Sequence, residues 1–204
     1  MTAPEKAAAA FVEMIHGACP RIDGRRFIVP VAHRDDPSYR AYRERIYCYE
    51  LYHQLRLLEG TQGASAGSPL YALSGEIDKS GLNAVVENGT EKPDLVWHVP
   101  GEAHCNAVVV EVKAVVGLRL PGIQKDLETL AKFLTAEDRS YREGVFLLYG
   151  PPSRGPEELL RRVREAGAGA FEGAGVPREA AMRIKVLLHP AQGDPVEDLG
   201  QLGW

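Results

Sequence analysis

The sequence predicts an α/β domain in which a central mixed β-sheet is flanked by helices. Three observations carry that expectation. Apolar residues recur at helical spacing near the start of the chain, across residues 38–59 and after Pro121, while short runs rich in Val, Leu and Ile stand between those segments. Turn residues separate the runs. At 204 residues the chain can form one substantial domain, which buries roughly 70% of the surface its unfolded form exposes and requires no staple.

Residues 4–17 read as a short helix, and "RRFIVPVAHRDDPSYR" as an extended piece that turns at Asp36-Pro37. The longest helical pattern is 38–59, with Ser38 placed to cap it and Gly60 to end it. Tyr42, Ile46, Tyr49, Leu51, Tyr52, Leu55 and Leu58 give this helix a broad buried stripe, and Glu50 lies inside it. The tract "GTQGASAGSP" reads as a flexible loop without the Gly-Lys-Ser/Thr ending of a phosphate-binding P-loop. Strands are expected at about 70–78, 93–99 and 106–115. Turn signals at Asn88-Gly89 and Pro100-Gly101 make them an antiparallel meander or a near relative. A helix follows, with Pro121 in its first turn and Ile123, Leu127, Leu130 and Leu134 on one face. Then come the strand "GVFLLYG", the helix "GPEELLRRVREAG" and the strand "RIKVLLHP". The expected organisation is an N-terminal helix and extended segment over 1–37 packed on the core, an α/β core over 38–190, and a peripheral tail over 191–204.

Composition narrows the function classes. With 45% hydrophobic and 25% charged residues the chain has the make-up of a globular protein rather than a disordered one. Its net charge of −4 argues against a nucleic-acid coat protein bound through many phosphates, though not against a local basic groove. Cys19, Cys48 and Cys105 are too few and too scattered for a disulfide framework or a thiolate zinc site, which suits a reducing cytoplasm. No apolar run approaches the ~18 residues of a membrane span, and Glu5 and Glu13 spoil the Ala-rich start as a secretion signal.

The chemistry concentrates in "PDLVWHV" and "AVVVEVKAVV". Strand side chains alternate, so Val108, Val110 and Val112 point one way while Val109, Glu111 and Lys113 point the other. On the preceding strand Asp94, Val96 and His98 share a face. If the two strands are neighbours, Asp94 meets Glu111, and two adjacent carboxylates are costly unless a cation lies between them. Mg²⁺ suits such hard oxygen ligands. Lys113 on the same face can then orient or deprotonate a water, or steady developing negative charge. The competing reading is a solvated salt bridge between Glu111 and Lys113.

Pro93-Asp94 followed by Glu111-Val112-Lys113, in a helix, three-strand, helix, strand order, resembles the PD-(D/E)XK nuclease superfamily over roughly residues 38–150. The resemblance implies a restriction-endonuclease-like three-layer α/β/α fold and a Mg²⁺-dependent nuclease, with Mn²⁺ able to substitute and DNA favoured over RNA. It implies Asp94, Glu111 and the Val112 carbonyl as metal ligands and Lys113 as the catalytic lysine. It points further to Glu50 as a helix-borne site residue and metal ligand, and to Gln124 as a site glutamine on the following helix. Glu50 also reads as an intrahelical partner of Arg45 or Arg56, and Gln124 as an ordinary surface residue. Glu76, in "SGEID", is a further candidate. His98 reads as a core or rim histidine, and Arg161, Arg162 and Arg164 as the wet face of a helix with phosphate contact as the alternative. Other classes consistent with the sequence are a catalytically silent protein of this fold that binds nucleic acid or a protein partner, and an enzyme of other chemistry on the same acidic site. A homodimer is compatible with either.

Overall fold

The computed structural model describes residues 2–32, 36, 38–59, 71–75, 92–137 and 140–203. The glycine-rich tract, Glu76, the Asn88-Gly89 turn and His33 to Asp35 lie outside the described residues. In chain order the elements are α1 (Ala3–Ala18), α2 (Gly24–Phe27), β1 (Val29–Pro30), β2 (Arg40–Ala41), α3 (Glu44–Glu59), β3 (Ala72–Gly75), β4 (Leu95–His98) and β5 (Asn106–Ala114). They continue with α4 (Leu120–Thr135), β6 (Glu143–Tyr149), α5 (Pro156–Ala174), α6 (Arg178–Ala181), β7 (Ile184–His189) and β8 (Glu197–Gln201).

Strands β3 to β8 form one six-stranded mixed sheet in simple sequence order. The first three are antiparallel, as the meander expectation requires, whereas β5, β6 and β7 are mutually parallel and β8 closes the far edge antiparallel to β7. A parallel pair needs a long crossover, and α4 and α5 supply the two that are needed. Helices cover both faces. On one, Phe11 and Ile15 of α1 and Tyr47, Leu51 and Leu55 of α3 pack against Val108, Val110 and Val112; on the other, Ile123, Leu127 and Leu130 of α4 and Val163 of α5 pack against Val96, Val109 and Phe146. Because β5 and β6 are covered on both sides, they are spelled as near-continuous apolar runs rather than alternating ones. The stacked rings of Phe11 and Trp97, 5.1 Å apart, fix the N-terminal helix to the sheet. No helix among the described residues is long and apolar enough to cross a membrane.

Three local expectations are corrected. Helix α3 begins at Glu44, not at Ser38, because the preceding residues are used by the β1–β2 hairpin. The Asp36 carboxylate accepts from the Ser38 N–H and hydroxyl at 2.8 and 2.6 Å, so these residues close a turn instead of capping a helix. The buried stripe is also narrower than expected: Tyr49 is 60% exposed, and the stripe runs through Tyr47, Cys48, Leu51 and Leu55. Finally, the tail after Pro190 is more than peripheral. It contributes β8 and then Leu202, fully buried on the α4–α5 side. Leu202→Ala should therefore cost about 2–5 kcal/mol, the range for truncating a buried leucine, in urea unfolding. A change below about 0.5 kcal/mol, typical of a surface site, would mean that this segment is not part of the core.

Candidate active site

Strand β5 outlasts β4. The last paired residues are Leu95 and Val110, and β5 runs on to Ala114. Beyond that point the N–H groups of Val112 and Ala114, two residues apart on one strand edge, have no β4 backbone to meet. Carboxylates take them instead. Asp94, immediately before β4, accepts from Val112 N–H at 2.7 Å, and Glu44, in the first turn of α3, accepts from Ala114 N–H at 3.2 Å. The same register carries Asp94 opposite Glu111, and the two carboxyl groups are hydrogen-bonded to each other. Glu111 is 7% exposed on the face shared with Val109 and α4, so the alternation expected of this strand is the one observed.

Lys113 points to that face near the strand's end, and its ammonium has two carboxylate partners. Asp126 of α4 lies at 2.9 Å and the other oxygen of Glu44 at 3.2 Å. The Asp126 contact is a close ion pair rather than an aligned hydrogen bond. Helix α3 is anchored for this purpose by an aromatic group beneath its first turns. Tyr47 stacks on Tyr149 at 3.9 Å, and its hydroxyl bonds Nδ1 of the buried His189 at 2.9 Å. Helix α4 is held by its own apolar stripe, in which Asp126 occupies a buried position between Ile123 and Leu127.

The electrostatics follow from burial and crowding. Burial, more than any other cause, pushes the Asp94 carboxyl up to about 6, and nearby Asp126 adds to this although the Val112 N–H opposes it. Burial and then the Asp94 charge raise Glu111 well above the usual carboxylate range. The two carboxyl groups therefore titrate as a pair, and both hold a proton more tightly than an ordinary carboxyl. Burial works against the Lys113 ammonium, but Asp126 and Glu44 outweigh it and hold its pKa above the usual lysine value. Asp126 is itself raised by burial, partly offset by Lys113.

Asp94, Glu111 and Lys113 are thus brought together, and the Val112 side chain points into the opposite core so that only its backbone reaches the site. The other two candidates lie elsewhere. Glu50 accepts from Gln54 on the next turn of its own helix at 2.7 Å. At about 100° per residue it stands roughly 120° round the helix from Glu44. Gln124 faces α5, its amide nitrogen 3.7 Å from where a Cβ on Gly169 would stand. Glu44 and Asp126 occupy the places on α3 and α4 expected of those residues, and both carry a legible signal. Glu44 is in phase with Cys48, Leu51 and Leu55; Asp126 falls within the stripe of Ile123, Leu127 and Leu130. His98 bonds Ser74 on β3 at 3.2 Å.

A divalent cation can be tested against this donor set. Two buried carboxyl groups with raised pKa values, with the Val112 carbonyl next in sequence after the second, form a hard-oxygen set that suits Mg²⁺, an ion that keeps several waters and needs only one or two carboxylates. Among the described residues no group of three or more His, Cys, Asp or Glu is arranged to hold a metal. The fit is therefore to a two-carboxylate site with open positions.

No protein-family model matches the chain, and no curated protein matches it significantly.

The raised carboxyls set the pH response of the metal-free protein. A carboxyl whose pKa is higher folded than unfolded binds its proton more tightly in the native state, so stability is greatest while it is protonated and falls as pH rises from the ordinary 3.8 through about 6. In a chelating buffer, Asp94→Asn should remove much of that fall and raise stability at pH 7 by on the order of 2 kcal/mol. Thermal melts at pH 4 and pH 7 decide it: an unchanged difference between the two pH values would show that Asp94 is not under strain.

Proposed function

We propose that the protein is a Mg²⁺-dependent phosphodiester hydrolase with a restriction-endonuclease-like fold of the PD-(D/E)XK type, acting on nucleic acid and preferentially on DNA. The observation that carries this reading is the convergence of Asp94 and Glu111 with Lys113 at the overhanging end of β5. A mixed sheet flanked by helices, with the site at its exposed strand end, supports it.

Bound between Asp94 and Glu111, with the Val112 carbonyl as a further ligand, Mg²⁺ would polarise a phosphoryl oxygen and acidify a coordinated water. The protein's own groups do the rest. Asp94 is aimed by the Val112 N–H, so its free oxygen has a fixed direction before any ligand arrives. Asp94 and Glu111, both raised by burial, would hold the cation in the deprotonated form, so metal binding would release protons from the pair. Lys113 is kept as an ammonium by Asp126 and Glu44, which suits it to offsetting negative charge on the phosphoryl oxygens and not to accepting a proton from water at neutral pH. Asp126 and Glu44 act through Lys113 and are positioning residues.

Cleavage of linear, circular and single-stranded DNA and of RNA, with Mg²⁺ and with Mn²⁺, tests the proposal. Lys113→Ala should cut about 10²-fold more slowly while retaining fold and metal affinity, the usual loss for one such electrostatic group. Asp94→Ala should lose metal affinity as well as turnover, with partial recovery at higher Mg²⁺. If wild type cuts nothing in that panel and binds no metal at millimolar concentration, hydrolysis is excluded and a nucleic-acid- or protein-binding role takes its place.

A further inference from the structure

Beside the carboxylate cluster, where the parallel strands β5 and β6 end, lies a cavity of about 360 Å³ lined by Val115, Ser153, Arg154, Gly155, Glu158 and Arg162, among others. Its size is within the roughly 300–1,000 Å³ of pockets that take small ligands. Val115 is two residues past Lys113, roughly 7 Å of extended chain, about one nucleotide of backbone. The pocket and the cluster therefore open on the same edge of the sheet.

The charges on its walls are not the solvated face of α5. Of the three arginines expected there, Arg161 is bound by Glu158, at 2.7 and 2.8 Å, and by Glu165, while Arg164 donates to the Gln201 carbonyl at 2.8 Å. Arg162 turns the other way. It is half-buried, and one nitrogen donates to the Leu118 carbonyl at 3.3 Å, which ties it to the loop after β5. That tether holds the guanidinium at the pocket wall and limits its loss of freedom on binding an anion. Arg154 stands exposed on the same wall, and Glu158, the acidic group of the lining, is already engaged by Arg161. The loop between Lys113 and the pocket adds Arg119, exposed, and two large apolar side chains in solvent, Val116 and Leu120, 52% and 50% exposed. A chain with net charge −4 thus places Arg154 and Arg162 together on one pocket wall, with Arg119 four residues past the pocket's Val115 in sequence.

We propose that this pocket is a phosphate subsite for the nucleic-acid strand, in which Arg154 and Arg162 hold the phosphate next to the one presented to Lys113, and Val116 and Leu120 contact sugar and base. The inference rests on the hydrolase reading for its neighbouring phosphate, but its test does not require turnover. Arginine is suited to such a subsite because its planar fork matches phosphate oxygens in pairs.

The test is binding of labelled duplex DNA, single-stranded DNA and RNA oligonucleotides in EDTA, at a series of salt concentrations from about 50 to 200 mM. Removing one phosphate-binding cation lowers the slope of log affinity against log salt by about one. Arg154→Ala and Arg162→Ala should each weaken binding and lower that slope by about one, the double variant by about two, and Arg154→Lys should keep the slope. Arg154 has no packing to lose, so a folding defect in Arg162→Ala leaves the Arg154 pair of variants decisive. The oligonucleotide whose slope falls most identifies the strand type held. Slopes in Arg154→Ala and the double variant equal to wild type, or no binding by wild type to any of the oligonucleotides, overturn the subsite. Wild type that cuts with Mg²⁺ but shows those equal slopes keeps the hydrolase and loses the subsite; reduced slopes in a protein that cuts nothing keep the subsite and remove the hydrolase.

Discussion

The constraint on which the rest of the site depends is an excess of negative charge, much of it buried. Glu44, Asp94, Glu111 and Asp126 converge around a single ammonium, Lys113. Carboxylates gathered in this way repel one another and lose hydration, so each must be compensated by a hydrogen bond, a proton or a cation. The structure uses hydrogen bonds, retained protons and the Lys113 ammonium. Val112 and Ala114 lend backbone N–H groups that a shorter β5 would not have free, and burial raises the pKa of both Asp94 and Glu111. The overhang of β5 past β4 is therefore not a loose end of the sheet. It exposes the two donors that make the carboxylates tolerable, and it draws the start of α3 onto the strand through Glu44.

That dependence explains why part of the site was legible in the sequence and part was not. Asp94, Glu111 and Lys113 sit on strands, where a period of two assigns faces without knowledge of where the strand begins. Pairing β4 with β5 was all that was needed to bring Asp94 across from Glu111. Glu44 and Asp126 sit on helices, where a stripe drawn too broadly admits side chains from its flanks. Counting Tyr49 as buried puts Glu50 inside the stripe of α3, although Tyr49 is exposed and Glu50 is bonded within its own helix to Gln54. On α4 the stripe itself was correct, since Ile123, Leu127, Leu130 and Leu134 are all buried. A charged residue within it was a stronger signal than a glutamine beside it. An aspartate at a position that burial would reserve for an apolar side chain is expensive, and its expense is the information.

The sheet was legible where its strands are spelled in apolar residues and illegible at its polar edge. The antiparallel order of β3, β4 and β5 follows from turn signals between neighbours, and the parallel β5, β6 and β7 follow from helices long enough to cross over. Nothing local announces that residues 197–201 will return to pair with β7, because the burial pattern of that edge strand is half polar. The signal was in Val196 and Leu202 flanking it, both buried. Similarly, the short hairpin of β1 and β2 is fixed by pairing of Val29 with Ala41 and not by any alternation in its residues.

The cost of the cluster also bears on what the protein is for. Buried ion pairs are seldom worth their desolvation, and replacing one by apolar residues of similar volume is often neutral or stabilising by about 1–4 kcal/mol. Glu111 has an apolar residue on either side in sequence and an apolar helix above it, so leucine or valine at that position would extend a core already formed by Val109, Ile123 and Leu127. A protein that used this sheet only as a scaffold for binding would have every thermodynamic reason to be spelled that way. Instead, the strand carries a glutamate whose charge it must suppress and a lysine whose charge it takes two carboxylates to hold. Such an arrangement has a use when a ligand supplies the missing positive charge on one side of Lys113 and the missing negative charge on the other. On the proposed reading, a divalent cation between Asp94 and Glu111 and a phosphate facing Lys113 would supply those two charges together, and each would make the other easier to bind.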